Sequence, residues 1–150
     1  MGTGHLIVVG VDGSESGRRA LRWAATEAAR RDSAVRAVTA WSWDGLDYGP
    51  VPAESSGEER DRAARMLDDE IQSLVRERGS HLPVTAETVE GAPAEVLTAA
   101  ARNADMLVLG SHGHSRVRHT VLGSVSEACI RMASCPVVVI PAPVHEPATV

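Results

Sequence analysis

The chain has 150 residues, 43% of them hydrophobic and 23% charged. That composition excludes a disordered chain and predicts one domain with its own core. All fifteen basic residues are Arg, which excludes lysine-dependent chemistry such as a Schiff base or a P-loop lysine. The net charge of −5 argues against nucleic acid as a main partner, because binding to a phosphate backbone needs a basic surface.

The N-terminus lacks the pattern of a signal peptide, and no apolar run approaches the ~20 residues that a membrane-spanning helix needs. The two cysteines, Cys129 and Cys135, do not have the spacing of zinc ligands, and we interpret them as small core residues of a reduced chain. These observations predict a cytoplasmic protein without a membrane partner.

The first third of the chain predicts strand, helix and strand. The apolar run Leu6–Val11 is typical of a parallel strand buried on both faces, and the polar residues from Asp12 onward end it. A helix is predicted from Glu15 to Arg31, with Ser14 as its N-cap. Ala34–Trp41 is the second predicted strand.

The middle of the chain begins with a long segment without periodicity, Ser42–Ser56, which we interpret as a binding loop or lid. Ser56 and Glu59 have the spacing of a capping box, so a helix is predicted from there to near Gly79. Val84–Val89 mixes polar with apolar residues and is predicted as a strand near an edge of the sheet.

The last third predicts a short helix from Pro93 to Asn103 and a fully apolar strand, Met106–Leu109. A helix after Gly123 and a last strand, Pro136–Ile140, follow, and the tail beyond is expected to fray. The apolar positions expected on one face of that helix are Val121, Val125, Ala128 and Met132.

Strict alternation of strands and helices predicts an α/β domain with a parallel sheet. The last strand would lie at an edge and is uncharged, so something should cover it, and a second copy of the chain is the simplest cover. Asp12 and Gly110 each follow one of the two most apolar strands. If those strands are neighbours, both residues face the crevice where open α/β sheets bind ligands.

The segment that begins at Gly110 suits a phosphate group. Gly110 and Gly113 allow close backbone approach and unusual dihedral angles, and the helix that begins at Gly123-Ser124 offers free N–H groups and a favourable dipole. The alternative is a tight turn followed by an N-cap. Asp12 is likewise either a turn residue or a carboxylate that contacts a nucleoside or a metal.

Aromatic and histidine side chains leave further alternatives open. His112, His114 and His119 could bind a metal, act as a general base, or only add a hydrogen bond or charge beside a phosphate. Trp41 and Trp43 either pack in the core or flank a base.

The pattern G110-x2-G113-x9-G123-S124 resembles the ATP-binding motif of the universal stress protein family. The stretches IVVGVDGSESGRRALRWAATEAAR and ASCPVVVIP resemble the first strand and helix and the last strand of that family. The resemblance covers about residues 5–141, in a single domain over residues 1–150, and residues 142–150 are expected to be a flexible tail. It implies a Rossmann-like, open five-stranded parallel sheet of order 3-2-1-4-5, with helices on both faces and a homodimer formed through Pro136–Ile140.

The same resemblance implies an ATP site. Asp12 would lie near the ribose or reach the phosphates through Mg²⁺ or Mn²⁺, and the backbone of Ala40 would meet the edge of the adenine. The residues that would hold ribose and phosphates are Gly110, Gly113, Gly123, Ser124, Val125 and Ser126. The segment between Gly113 and Gly123 departs from many relatives because it contains Arg116, Arg118 and His119, which either strengthen phosphate binding or form a solvated flap.

Three functions follow from these observations. The first is an ATP-binding, homodimeric regulator of a stress response that is not an enzyme. The second is a slow ATPase or phosphotransferase, which would need an oriented nucleophile and charge stabilisation from groups such as Arg116, Arg118 or His112. The third is an interaction module whose pocket is empty or holds another adenine nucleotide, such as AMP or cyclic AMP.

Overall fold

The computed structural model describes residues 5–42, 56–112 and 122–142. Five strands alternate with four helices in this part of the chain. The strands are β1 (Leu6–Gly10), β2 (Ala34–Trp41), β3 (Val84–Glu90), β4 (Met106–Gly110) and β5 (Val137–Ile140). The helices are α1 (Glu15–Arg31), α2 (Ser56–Arg78), α3 (Pro93–Ala100) and α4 (Ser124–Met132).

The strands form one parallel sheet in the order β3-β2-β1-β4-β5, so the predicted fold class is confirmed. The two most apolar strands, β1 and β4, are neighbours at the centre, with Ile7 beside Met106 and Val9 beside Val108. β3 and β5 are the two edges, also as predicted. The order reverses between β1 and β4, which places a ligand crevice at their carboxyl ends.

Helices cover both faces of the sheet. On one face, α1 and α2 bury apolar side chains such as Leu21 and Leu67 against β1, β2 and β4. On the other face, α3 and α4 bury Leu97 and Cys129 against the opposite side chains of the same strands. The second layer covers less of the sheet, because α3 has eight residues and α4 nine.

The predicted boundaries differ from the observed ones by a few residues. α3 ends at Ala100 and not at Asn103. β5 begins at Val137 because Pro136 has no N–H, although its carbonyl still accepts the Leu107 amide at 2.9 Å. α2 ends at the predicted place, and Gly79 follows it with φ +99°.

The predicted apolar face of α4 is wrong. Ser126 and Cys129 point into the protein, whereas Val125 and Met132 are 36% and 49% exposed. Ser126 tolerates burial because its hydroxyl donates to the Gly110 carbonyl at 2.8 Å. Val121 lies outside the described residues.

Residues 43–55 and 143–150 also lie outside the described residues, so the lid and tail predictions stay predictions. Within the described ranges, no helix has the length and apolar character needed to cross a membrane.

Candidate functional site

A cavity of about 300 Å³ opens at the carboxyl ends of β1, β2 and β4, between the first turns of α1, α3 and α4. Gly113 lies outside the described residues. The structure brings every other predicted site residue to the wall of this one cavity: Asp12, Ala40, Gly110, Gly123, Ser124, Val125 and Ser126. Of the predicted histidines, His112 lines the cavity, and His114 and His119 lie outside the described residues.

Part of the cavity wall is apolar and includes Val38, Leu97, Leu109 and the ring of Pro93 in the first turn of α3. Sequence reasoning did not include Pro93 and Leu97 in the site. Gly91, with φ +147°, makes the turn that places α3 beside the cavity. This glycine, two residues before Pro93, was the sequence signal from which the turn could have been predicted.

The cavity wall also contains the N-terminus of α1, which is closed by its own side chains. The Ser14 hydroxyl accepts the Gly17 amide at 3.1 Å, as predicted for an N-cap. One carboxylate oxygen of Asp12 accepts the Ser14 amide at 2.9 Å and also the Ser14 hydroxyl. The alternative prediction, that Asp12 is a turn residue, therefore holds for the oxygen that contacts Ser14. Asp12 is nevertheless exposed and lines the cavity.

The N-terminus of α4 is built differently. Gly123 is its N-cap, with extended backbone (φ −73°), and no side chain caps the helix. The Gly123 carbonyl accepts the Glu127 amide at 3.0 Å, and the Gly123 amide donates to the Ser111 carbonyl at 2.7 Å. The amides of Ser124 and Val125 in the first turn have no intrahelical acceptor, and both residues line the cavity.

Gly110 makes room for another part of the protein. A Cβ atom at this position would lie 2.7 Å from the backbone carbon of Ser16 and 2.8 Å from the Gly17 nitrogen. The close approach predicted for Gly110 is thus the approach of α1. The predicted unusual dihedral is wrong for Gly110, because the described glycines with positive φ are Gly13, Gly79 and Gly91.

Ser111 joins the parts of the site and was not predicted. It is buried, and its amide donates to the Ile140 carbonyl at 2.8 Å while its hydroxyl accepts the Ala142 amide at 3.1 Å. The same hydroxyl lies 3.1 Å from His112 Nδ1. Ser111 therefore connects the end of β5, the cap of α4 and a histidine of the cavity wall.

No group of three potential metal ligands is present among residues 5–42, 56–112 and 122–142. Cys129 is fully buried and Cys135 partly buried, as expected for core cysteines. Burial raises the pKa of the Cys129 thiol to about 11 and also raises the pKa of Cys135. Cys129 is therefore a neutral packing residue at physiological pH.

Known proteins resemble this chain in sequence and in fold. A universal stress protein of Mycobacterium tuberculosis is 34% identical over 157 residues, which cover 97% of this chain and 53% of the relative. The chain thus spans about half the length of the curated relatives it matches. A solved universal stress protein family structure from Burkholderia pseudomallei is 30% identical with a TM-score of 0.71, covering 95% of this chain and 99% of that one.

Two further solved structures contain nucleotides. One is a universal stress protein in complex with cAMP, 23% identical with a TM-score of 0.71 over 93% of this chain and 98% of that one. The other is the universal stress protein of Archaeoglobus fulgidus in complex with dAMP, 23% identical with a TM-score of 0.67 over 93% of this chain and 99% of that one. At this identity both support the shared fold. The Universal stress protein family matches residues 5–141, and the chain belongs to that family.

Proposed function

We propose that the chain binds an adenine nucleotide in the cavity and acts as a homodimeric, nucleotide-dependent regulator of a stress response in the cytoplasm. The observation that carries this proposal is the uncapped N-terminus of α4, which lines the same cavity as a set of apolar side chains. A ligand with a flat apolar ring and a phosphate matches these two features.

The backbone of Ala40 supports binding of the base. In a parallel sheet, alternate residues of a strand bond to alternate neighbours. The Val38 carbonyl accepts the Val11 amide at 2.9 Å, so Val38 is directed toward β1. Ala40 is two residues further along β2, past the end of β1, and its N–H and carbonyl are therefore directed toward the cavity. They offer one donor and one acceptor to the edge of an adenine.

The first turn of α4 supports binding of the phosphates. The amides of Ser124 and Val125 lie at the positive end of the helix dipole, and the exposed Ser124 hydroxyl adds a donor. ATP with Mg²⁺ or Mn²⁺ is the ligand that the motif implies. Asp12 offers one carboxylate to such an ion, which fits an ion brought in by the phosphates better than a cation site of the chain's own.

AMP or cyclic AMP is the second candidate ligand. The residues described at the cavity wall include no Arg side chain and two helix N-termini without a side-chain cap, those of α3 and α4. α3 is the poorer anion site, because Pro93 has no N–H and Glu95 adds a negative charge to its first turn. The described wall therefore matches one phosphate group, at α4. The complexes of the two solved relatives with cAMP and dAMP are consistent with this candidate.

We propose a regulator and not an enzyme, with nucleic acid and membranes excluded as main partners. Phosphoryl transfer needs cationic groups around the transferred phosphate and an oriented nucleophile. Of the candidates for charge stabilisation, Arg116 and Arg118 lie outside the described residues and His112 lines the cavity, so slow hydrolysis stays the enzymatic alternative. A phosphate-release assay over several hours would detect it.

Calorimetric titration of the nucleotide-free protein with ATP, ADP, AMP, cyclic AMP and adenosine, each with and without Mg²⁺, tests the ligand. Affinity that rises from adenosine to ATP is expected for the phosphate site. Equal affinity for AMP and ATP would favour the monophosphate candidate, and no binding by any ligand would refute the proposal. GTP is the control for the base.

The homodimer is proposed to form through β5. This edge strand is four apolar residues long with no charge, whereas β3, at the other edge, contains Glu87 and Glu90. Charged residues protect an edge from pairing, and β5 lacks them. Val138→Arg should give a monomer in sedimentation experiments, and Thr85→Arg on β3 is the matched control, which should stay dimeric.

A further inference from the structure

We propose that Trp23 on α1 and Ile130 on α4, which flank β5 on opposite faces of the sheet, contact the same residues of a second copy of the chain. The inference rests on the proposed dimer through β5 and adds the side chains that complete it. A strand of four residues cannot supply the ~800 Å² that each partner of a stable interface buries, so flanking elements must contribute.

Hydrogen bonds show which flank of α1 faces β5. Arg22 bonds to Glu77 of α2 at 2.9 Å, so its flank faces α2. Arg19 donates to the Pro141 carbonyl, just past β5, at 2.6 Å, so its flank faces the opposite way. Trp23 is one turn after Arg19 and therefore lies on the β5 flank. It is half-buried and packs against the same core as Val138 and Ile140.

The position of Ile130 follows from the other residues of α4. Ser126 and Cys129 point into the protein, and Val125 lines the cavity that lies on the α3 side. Ile130 is five residues after Val125, about 140° around the helix at ~100° per residue. It therefore lies on the far side of the buried face, toward the free edge of β5, and it is 48% exposed.

Antiparallel pairing of two β5 strands in one sheet requires a two-fold axis perpendicular to the sheet. That axis keeps like faces together, so α1 becomes the antiparallel neighbour of α1, and α4 of α4. Trp23 and Ile130 then lie close to the axis on their respective faces. Tryptophan is among the residues that contribute most to interfaces when they are buried near the centre.

The charges on both flanks are self-complementary. Arg19 and Glu27 lie one turn before and one turn after Trp23, so antiparallel helices place Arg19 of one copy near Glu27 of the other. On α4, Glu127 and Arg131 are both exposed and lie three residues before and one residue after Ile130, so the midpoint between them is within one residue of Ile130. A surface that is its own complement under a two-fold axis favours a second copy over an unrelated partner.

Sedimentation equilibrium over a dilution series tests the proposal with a matched pair of variants. Ile130 and Met132 are on the same helix and are 48% and 49% exposed, but Met132 lies on the α3 flank. Ile130→Ser should raise the dimer dissociation constant about tenfold or more, whereas Met132→Ser should leave it within about twofold. Trp23→Ala should raise it at least as much as Ile130→Ser, with far-UV circular dichroism checking that it is folded.

The outcomes separate the two proposals. A wild-type chain that is monomeric at high concentration would overturn both the β5 dimer and this inference. A dimer that Val138→Arg breaks, but on which Ile130→Ser and Met132→Ser have equal effects, would overturn the inference and keep β5. Nucleotide affinity of Ile130→Ser should be unchanged, because its side chain points away from the cavity.

Discussion

Of the three helix N-termini at the cavity, those of α1 and α4 are built in opposite ways. α1 is closed, because Ser14 accepts the Gly17 amide and Asp12 holds Ser14. α4 is open, because Gly123 has no side chain to cap it. Both helices have the same dipole, so the difference lies in which free amides are left for a ligand. An anion site at this edge of the sheet is therefore expected at α4 and not at α1.

The largest expected effect comes from closing α4. Gly123→Asp would place a carboxylate at the N-cap, where it accepts the first-turn amides and stabilises the helix by about 0.3 kcal/mol. The same charge would repel a bound phosphate and occupy its donors, so nucleotide affinity should fall about a hundredfold, near 3 kcal/mol. Calorimetric titration measures the affinity, and thermal unfolding measures the stability.

Three controls sharpen that experiment. Gly123→Asn caps the helix without a charge and should weaken phosphate binding less than Gly123→Asp. Adenosine has no phosphate, and its affinity should not change with either variant. Ser14→Ala opens α1 at a cost of about 1 kcal/mol of unfolding free energy but should not shift the phosphate preference. Equal loss of adenosine and nucleotide binding in Gly123→Asp would contradict the assignment of α4.

The second prediction concerns the packing of α1. Gly110→Ala places a Cβ atom within 2.7–2.8 Å of the backbone at Ser16 and Gly17, so α1 must shift. The free energy of unfolding should fall by about 2–3 kcal/mol, as measured by urea denaturation. Gly123→Ala is the matched control and should cost less than about 1 kcal/mol. Equal costs would show that Gly110 is not a packing glycine.

The sequence predicted the sheet well because its signals are local and periodic. Apolar runs such as Leu6–Val11 show a buried parallel strand, and Gly and Pro mark the turns. The close approach predicted at Gly110 is found, but with α1, and its predicted contact with a ligand stays a prediction. Which atoms approach a glycine depends on how distant segments pack, and no local pattern contains that information.

The face of α4 was predicted wrongly for a related reason. Apolar periodicity favoured Val125 and Met132 as core residues, but the helix buries Ser126, whose hydroxyl finds the Gly110 carbonyl 16 residues earlier in the chain. A partner that far away is invisible to a periodicity argument. Ser111 was missed likewise, because its partners Ile140 and Ala142 are about 30 residues away.

The smallest predicted effect tests how α4 is attached to the sheet. α1 buries seven residues, whereas α4 buries Ser126 and Cys129, so the neutral thiol of Cys129 forms much of its contact. Burial raises the pKa of that thiol from 9.0 to about 11, so the folded chain binds the thiol proton more tightly than the unfolded chain. The resulting stabilisation is complete below about pH 9 and is lost as the pH rises from about 9 toward 11. At pH 10 the loss should be about 1 kcal/mol, measured by urea unfolding at several pH values.

Cys129→Ala is the control for this prediction. It should lose stability at neutral pH by creating a cavity, but its stability should decline less steeply at alkaline pH. An equally steep decline in that variant would assign the alkaline loss to other groups.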